Sequence, residues 1–271
     1  MKKNKKIAIL AIIIIIAAAL LIVTTSSAQK IDIVGSTSVQ PVAEKLVSEY
    51  NQTHSGVEIN VQGGGSSVGI KSAQDGTADI GSSSKEVKGS DASGLKQYEL
   101  GKDGIVIAVN NENSISDLTT DQLKGIYSGN ITNWNQVGGN DGEINLITRE
   151  EGSGTLDAFQ KLVLGNDSMK KDAVVQSSTE AVKQSVAQDP NAIGFISYAH
   201  MSDDVKSVSV DGVSPSDSTI SDGSYKLQRP FIFLTKGEPT GETKKFLDWV
   251  MSDEGKKVLQ QEKIVQSTAY I

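Results

Sequence analysis

The residues best suited to chemistry lie in a short turn after a predicted buried strand at residues 144–148. Arg149 begins this turn, and the Gly-Ser-Gly-Thr segment at 152–155 ends it where an amphipathic helix starts. A guanidinium fork, two hydroxyls and the unpaired N–H groups of a first helical turn are all donors that match the oxygens of a tetrahedral anion. The turn therefore predicts an oxyanion-binding site. The alternative is an ordinary capped helix after a strand, with Arg149 in solvent.

Turns of the same kind follow other predicted strands. Gly, Ser and Thr residues fill the turns at 35–38, 63–67 and 82–84. In open α/β sheets, ligands bind beyond the carboxyl ends of the strands, which is where such turns meet. We therefore expect several turns to surround one small anion, with Arg149 supplying the only full positive charge among them. The alternative is that Gly and Ser merely form loops in a glycine-rich chain.

The elements that must position these turns alternate along the chain between strand and helix patterns. Short, glycine-rich connections join them, which predicts an α/β fold with mostly parallel sheets. Strands are predicted at 31–34, 57–61, 78–81, 105–110, 144–148, 192–197 and 229–234, and helices at 41–50, 68–74, 118–126, 156–163, 180–187 and 243–261.

The composition limits the possible functions. The chain of 271 residues has no cysteine, which excludes thiolate metal sites, disulfides, thiol catalysis and a lipid anchor on an N-terminal cysteine. Four of the 26 basic residues lie in the first 28, so the remainder carries 22 basic and 33 acidic residues, a net charge of −11. A nucleic-acid binder would need the opposite sign. An anion binder with this charge must rely on oriented donors in a closed site.

The N-terminus has the pattern of an export signal. Lys2, Lys3, Lys5 and Lys6 precede an apolar run at 7–23 and small polar residues up to Ala28, where cleavage is expected. The run of 17 residues is also close to the shortest membrane-spanning helix, so an uncleaved N-terminal anchor is the alternative. Either way, the rest of the chain is expected outside the cytoplasm, secreted or held at the membrane. Sequons for N-glycosylation occur at Asn51, Asn130 and Asn166.

Enzymatic motifs are incomplete in this sequence. No Gly-Lys-Ser/Thr of a phosphate-binding loop occurs. Ser82 and Lys85 have the S-x-x-K spacing of penicillin-binding enzymes but lack its companion motifs, so Lys85 is interpreted as a solvated helix residue. An exported serine hydrolase using Ser153 or Ser82 is the enzymatic alternative. Its base would have to be His54 or His200, both interpreted as surface or packing residues.

Six segments stand out in order along the chain: GSTSVQP, QGGGSSVGI, ADIGSSS, IYSGNITNWNQVGG, TREEGSGTLDAF and PNAIGFISYAH. In combination they resemble the phosphate-binding proteins, the substrate-capturing subunits of high-affinity phosphate ABC transporters. The resemblance runs from about Ile31 to the C-terminus. The segment IYSGNITNWNQVGG is the most diagnostic, because anion chemistry alone does not require it.

The resemblance implies a two-lobed periplasmic-binding-protein fold of type II, an α/β fold in which each lobe is a mostly parallel sheet flanked by helices. The ligand is expected in the cleft between the lobes. Lobe 1 is predicted to comprise residues 29–107 and 231–271, and lobe 2 residues 108–230, with residues 1–28 as the signal peptide or anchor. The chain is expected to cross between the lobes near residues 106–110 and 229–233.

The ligand contacts of the family, carried over residue by residue, fall on the turns described above. One position differs from a well-known family pattern: an aspartate is common where this chain has Ser84. That carboxylate would accept the proton of hydrogen phosphate and repel sulfate, whereas a serine accepts the proton without repulsion. The residues that the resemblance implies as phosphate ligands are Thr37, Ser38, Ser66, Ser84, Arg149, Ser153, Gly154 and Thr155.

The resemblance also implies a function and partners. The expected protein is a monomeric receptor outside the cytoplasm that binds inorganic phosphate and delivers it to a membrane permease coupled to a cytoplasmic ATPase. No catalysis, cofactor or metal is expected. The alternative within the same class is a receptor for another oxyanion, such as sulfate, molybdate or tungstate, and it rests on Ser84.

Overall fold

The computed structural model describes residues 29–266. The predicted signal or anchor segment at residues 1–28 lies outside this range, so the structure says nothing about it. Within residues 29–266, every helix is too short or too polar to cross a bilayer.

Strands and helices alternate along most of the described chain, as the sequence pattern predicts. The strands are β1 (Gln29–Gly35), β2 (Val57–Gly63), β3 (Ile80–Ser83), β4 (Leu95–Val109), β5 (Asp117–Leu118), β6 (Asn145–Arg149), β7 (Val174–Gln176), β8 (Ala192–Ser197), β9 (Lys206–Val210) and β10 (Gln228–Lys236). The helices are α1 (Gln40–Thr53), α2 (Ser66–Asp75), α3 (Thr120–Ser128), α4 (Gly154–Phe159), α5 (Thr179–Gln188), α6 (Asp217–Ser221), α7 (Gly241–Val250) and α8 (Asp253–Gln261). A π-helical turn (Gln160–Leu164) continues α4, and short 3₁₀ turns lie at Gly89–Ala92, Trp134–Val137 and Tyr198–His200.

The strands form a continuous sheet in the order β2-β1-β3-β10-β4-β8-β6-β7, with β9 beside β4 and β5. Towards its two ends the sheet is parallel, because β1 pairs in parallel with β2 and β3, and β6 with β7 and β8. In the middle, β10 and β4 run antiparallel to their neighbours. The α/β prediction is confirmed, and the sheet is mixed because the connecting strands run against the others.

Strand β4 joins the two parts of the sheet. Its residues 95–104 pair with β10, whereas residues 105–109 pair with β8 and β9. The sequence pattern predicts only the second part of this strand, because residues 95–104 are mostly polar and lack a buried apolar run. Gly101 has φ +143° and lies next to an irregularity in the pairing with β10. The predicted lobe boundaries after residues 107 and 230 fall inside β4 and β10, and they stay a prediction.

Two large hydrophobic cores lie on either side of the point where β4 changes its partner strands. The first core is formed by β1, α1, β10, α7 and α8, and we call the part of the chain packed around it, with β2, β3 and α2, the first half. The second core is formed by residues 105–109 of β4 with α3, α4 and β8, and we call its part of the chain, with β6, β7, α5 and β9, the second half.

Buried aromatic rings hold the helices that carry the candidate site. In the second half, the Phe159 ring of α4 stacks on Phe195 with centroids 4.2 Å apart and meets Tyr127 edge-on at 4.7 Å. In the first half, Tyr50 of α1 packs against Phe246 at 5.2 Å. Burial of one such ring stabilises the fold by about 2 kcal/mol. These contacts anchor the C-terminal ends of α1 and α4 in the two cores.

Candidate oxyanion-binding site

The turns selected from the sequence meet between the two halves, at a place that we call the junction. The Gly65 N–H donates to the Gly35 carbonyl at 2.9 Å, which joins the turns after β2 and β1. The Ser67 N–H donates to the Gly152 carbonyl at 3.1 Å, which joins the first half to the turn after β6. Six of the predicted side chains here are no more than 3% exposed: Ser38, Ser66, Ser84, Arg149, Ser153 and Thr155.

Arg149 ends β6 and points its guanidinium into this junction. Its Nε and Nη2 donate to the two carboxylate oxygens of Glu150 at 2.8 and 2.9 Å, which fixes the plane of the fork. The remaining donors reach hydroxyls of both halves, with Nη2 3.0 Å from Thr37 Oγ1 and Nη1 3.2 Å from Thr179 Oγ1. The Thr37 oxygen also accepts from the Thr179 N–H at 3.3 Å. Arg149 thus links the two halves through hydroxyls.

A cluster of three buried hydroxyls lies next to the guanidinium. Ser38 Oγ is 2.9 Å from Thr155 Oγ1 and 2.7 Å from Thr179 Oγ1. Ser38 belongs to the first half, whereas both threonines belong to the second. The cluster therefore brings together two predicted residues that are 117 positions apart in the sequence.

The other predicted residues meet at a second point of the junction. Ser66 Oγ lies 3.2 Å from Ser84 Oγ and accepts from the Ser84 N–H at 3.0 Å. Ser36, which already accepts from two backbone N–H groups, donates to Ser84 Oγ at 2.8 Å. Gly154 packs against this pair so closely that a Cβ on it would lie 2.2 Å from Ser66 Oγ and 2.6 Å from Ser84 Oγ. Glycine is required there by the close approach of the two halves.

Ser153 contributes in another way. Its hydroxyl accepts from the Leu156 N–H at 3.3 Å and so caps α4. The structure therefore places all eight predicted residues at one junction. Six of them form a hydrogen bond with another predicted residue, and Gly154 packs against Ser66 and Ser84. Ser153 instead shapes the turn that carries Thr155.

Arg229, at the start of β10, is a second guanidinium in this junction. Its Nη1 donates to Thr155 Oγ1 at 2.6 Å, and its Nη2 donates to Ser38 Oγ at 3.2 Å. The prediction that Arg149 supplies the only full positive charge was therefore wrong. Sequence reasoning placed Arg229 in a buried strand and treated it only as part of a crossover.

Asp103 of β4 holds Arg229 in place. One carboxylate oxygen accepts from both Nε and Nη2 of Arg229 at 3.1 Å. The other accepts from the Ser197 hydroxyl at 2.7 Å and the Ala199 N–H at 3.3 Å. Burial raises the pKa of Asp103, and these donors together with the charge of Arg229 oppose the rise. The four hydrogen bonds to the carboxylate oxygens and the charge of Arg229 stabilise the ionised form against the cost of burial.

Sequence reasoning missed three polar residues of the junction, and each left only a weak signal. Thr179 stands in a Ser-Thr-Glu segment that caps α5, which reads as an ordinary helix start. Arg229 and Asp103 are charged residues inside apolar or mixed strands, where such residues are rarely buried without a partner. Their pairing joins positions 126 apart, so no local pattern could reveal it.

His200 and Lys85, which the enzymatic alternatives single out, both lie beside the candidate site. His200 is largely buried, and its Nε2 lies 3.3 Å from the Ser38 carbonyl, so it packs against the hydroxyl cluster. Burial lowers the pKa of His200 to about 4. The interpretation of Lys85 as a solvated helix residue was wrong. It follows β3 in a bend, its side chain is 15% exposed, and its Nζ lies 3.6 Å from Asp157 across the junction.

The junction is rich in donors, and within residues 29–266 no group of His, Asp and Glu side chains is arranged to hold a metal ion. Two guanidiniums and a set of hydroxyls enclosed between two α/β halves define a class of protein: a binding protein that encloses a small, oxygen-rich anion. The comparisons with known proteins agree with this class.

Residues 23–254 match the family model of the PBP superfamily domain. Over 245 residues the chain is 33% identical to the phosphate-binding protein PstS of Bacillus subtilis, covering 89% of this chain and 80% of that protein. A Clostridium perfringens structure with bound phosphate, described as a phosphate ABC transporter substrate-binding protein, has 37% identity and a TM-score of 0.85, covering 89% of this chain and all of that one. A Vibrio cholerae ABC-type phosphate transport receptor has 37% identity and a TM-score of 0.73, and the match covers 87% of this chain and 99% of that one.

The chain belongs to the PBP superfamily and, within it, to the family of phosphate-binding proteins of ABC transporters. The resemblance inferred from the six sequence segments is thereby confirmed, and so is the periplasmic-binding-protein fold. This is a family of solute-binding receptors and not of enzymes.

Proposed function

We propose that this protein captures inorganic phosphate outside the cytoplasm and delivers it to an ABC transporter for import. The observation that carries the proposal is the convergence of two guanidiniums on one set of buried and half-buried hydroxyls, namely Thr37, Ser38, Thr155 and Thr179. The names of the related proteins in Bacillus subtilis, Clostridium perfringens and Vibrio cholerae all refer to phosphate, which supports the choice of ligand.

The arrangement suits a small anion for electrostatic reasons. A guanidinium only donates hydrogen bonds, so each hydroxyl that it contacts accepts and keeps its own proton for another partner. Donors that are enclosed and shielded from water also interact more strongly with a charged oxygen than they would in solvent. A tetrahedral oxyanion offers acceptors in four directions and matches such a set.

The proposed ligands are the eight residues implied by the family resemblance. In this proposal Arg149 supplies charge, and Thr37, Ser38 and Thr155 supply hydroxyls. Gly154 lets the backbone approach the ligand. The full proposed set is Thr37, Ser38, Ser66, Ser84, Arg149, Ser153, Gly154 and Thr155.

Binding is proposed to close two lobes around phosphate. Lobe 1 (29–107 and 231–271) and lobe 2 (108–230) would move about the strands β4 and β10, which join them. The closed form is the signal for a membrane permease with a cytoplasmic ATPase, and the receptor acts as a monomer. Residues 1–28 serve as the export signal or the membrane anchor.

Calorimetric titration of the purified protein with phosphate and, separately, with sulfate tests this function. We expect a saturable signal with phosphate at one site per chain and much weaker binding of sulfate. The surface variant Lys244→Ala, on α7, is the control and should bind like the wild type. Absence of phosphate binding would reject the proposal, and tighter binding of sulfate, molybdate or tungstate would favour a receptor for another oxyanion.

A further inference from the structure

Thr179 contacts three proposed ligands, although it does not belong to the proposed set. It is the first residue of α5, and it is completely buried. Its Oγ1 accepts from Nη1 of Arg149 at 3.2 Å and lies 2.7 Å from Ser38 Oγ. Its N–H donates to Thr37 Oγ1 at 3.3 Å. Thr179 is therefore bound to the second half through Arg149 and to the first half through Thr37 and Ser38.

The start of α5 explains how one residue makes all these contacts. The first N–H groups of a helix have no partner inside the helix. The N-cap Ser178 accepts from the Ala181 N–H at 3.0 Å, so the Thr179 N–H is left to donate to Thr37. A β-branched side chain has few rotamers in a helix, which keeps the Thr179 hydroxyl directed at Arg149 and Ser38.

The hydrogen bonds of Arg149 show what this contact achieves. A guanidinium has five N–H groups, one on Nε and two on each Nη. In Arg149, Nε donates to Glu150, and Nη2 donates to Glu150 and Thr37. Nη1 donates one N–H to Thr179, and within residues 29–266 its other N–H has no partner. Thr179 thus holds the nitrogen whose remaining N–H is available to a ligand.

The contacts of Thr179 with Thr37 and Ser38 depend on the approach of the two halves. Thr37 and Ser38 lie in the turn after β1 in the first half, whereas Thr179 and Arg149 belong to the second half. The Thr179 hydroxyl is fixed from both sides only while the halves are together. The orientation of Nη1 in Arg149 is therefore coupled to the closed arrangement.

We infer that Thr179 is a positioning residue of the proposed phosphate site and acts through Arg149. It holds Nη1 so that the remaining N–H of this nitrogen is directed at the anion, and Thr37 and Ser38 in turn hold Thr179. The inference rests on the proposed phosphate-binding function. It adds to that function a residue that the family resemblance does not imply.

Two substitutions separate the hydroxyl of Thr179 from its volume. Thr179→Val replaces the hydroxyl by a methyl group and keeps the shape, whereas Thr179→Ser keeps the hydroxyl and removes the methyl group. Thr148→Val is the matched control. Thr148 is also buried and precedes Arg149 in β6, and its hydroxyl has no hydrogen-bond partner among the described residues, so its loss breaks no hydrogen bond.

Melting temperatures of the free proteins show whether each variant is folded. If the methyl group added in Thr179→Val prevents folding, Thr179→Ala takes its place, because alanine removes the same hydroxyl and adds no volume. Calorimetric titration with phosphate then measures the affinity of each folded variant.

We expect Thr179→Val to weaken phosphate binding about tenfold, because a hydrogen bond to a charged group is lost. Thr179→Ser and Thr148→Val should both stay within about twofold of the wild type, since neither loses a hydrogen bond. Arg149→Lys retains the positive charge but has no Nη1. In that background Thr179→Val should change the affinity by less than about twofold, because two residues that act as a unit are not additive.

The possible outcomes are distinct. If the wild type does not bind phosphate, the proposed function itself fails. If the wild type binds and Thr179→Val keeps its affinity, or if Thr179→Ser or Thr148→Val weakens binding as much as Thr179→Val, the inference is overturned. It is also overturned if Thr179→Val weakens binding equally in the Arg149→Lys background, since Thr179 would then act independently of Arg149.

Discussion

Arg149 and Arg229 contact different members of the same hydroxyl cluster, and each has its own carboxylate. Glu150 holds Arg149 through two hydrogen bonds, and Asp103 holds Arg229 through two more. Each guanidinium therefore reaches the site in a fixed orientation and with much of its charge balanced. Oriented donors, more than net charge, are what this site offers to an anion, in line with the acidic composition of the chain.

Replacement of Arg149 tests the weight of the charge. We expect Arg149→Ala to weaken phosphate binding by about 2–5 kcal/mol, because removal of one partner leaves a buried charge poorly compensated. Calorimetric titration measures the effect, with melting temperatures of the free proteins as the check on folding. A loss of less than tenfold would mean that Arg229 and the hydroxyls suffice without Arg149.

Ser84 is the residue at which selectivity is decided in our interpretation. We expect Ser84→Asp to increase the preference for phosphate over sulfate, because a carboxylate accepts the proton of hydrogen phosphate and repels an anion without one. Competitive titration with both anions gives the ratio of their dissociation constants. Ser185→Asp, in a part-buried position on α5, is a control for the added charge. An unchanged ratio in Ser84→Asp would show that residue 84 does not face the ligand.

The site was predictable from sequence where it is built from local turns, and unpredictable where it is built from long-range pairs. Thr37, Ser66 and Gly154 stand in Gly/Ser/Thr-rich turns after strands, which local composition reveals. Arg229 and Asp103 lie inside strands, and their role depends on a pairing between positions 126 apart. Thr179 looks like an ordinary helix-capping residue until the fold places it beside Arg149.

At the level of secondary structure, the close approach of α4 to the turns after β2 and β3 makes Gly154 sensitive to size. Real Cβ atoms do not approach other atoms as closely as the 2.2 Å that a side chain at Gly154 would impose on Ser66 Oγ. The strain would fall on the contact between the halves and not on either core. The sequence shows only a glycine at a helix start, because the surface that it faces is distant in the chain.

We expect Gly154→Ala to weaken phosphate binding at least tenfold while leaving the melting temperature of the free protein within a few degrees of the wild type. The added methyl group holds the halves apart, and small shifts of a closely packed contact cost about 1–3 kcal/mol. Calorimetry and small-angle scattering, with and without phosphate, measure affinity and closure. Wild-type affinity together with normal compaction would contradict the expectation.

Elements with strong local signals were predicted well, and those held by pairing alone were missed. The helix predicted at 118–126 with a threonine cap begins at Thr120, and Thr119 caps it with a reciprocal bond to Gln122. By contrast, residues 95–104 of β4 and the three-residue strand β7 have little hydrophobic periodicity. Their strand structure depends on neighbours in the sheet, which a single sequence does not specify.

For the molecule as a whole, His200 couples the two halves to pH. Burial is the main reason that its pKa falls to about 4, and the nearby charges of Lys183 and Arg229 act in the same direction. Glu180 and the Ser38 carbonyl oppose the fall. The folded protein therefore holds His200 neutral at neutral pH, whereas the unfolded chain protonates it at its ordinary pKa of 6.5.

Stability should consequently fall in acid. Between its unfolded pKa of 6.5 and its folded pKa of about 4, the unfolded chain binds the extra proton, so up to about 3 kcal/mol of unfolding free energy is lost as the pH falls. Denaturant unfolding at a series of pH values measures this loss. His200→Asn should flatten the dependence in this window, and an equally steep curve in that variant would assign the loss to other groups.

The course of the chain through β4 and β10 also affects how the protein is made. The chain leaves the first half after residue 104 and returns at residue 228, and these two residues are paired neighbours in the sheet. During synthesis, most of the second half has therefore emerged from the ribosome while the first core still lacks β10, α7 and α8. The middle of the sequence is able to fold before the part that contains its beginning. Binding competence arises only when Arg229 and the last helices arrive.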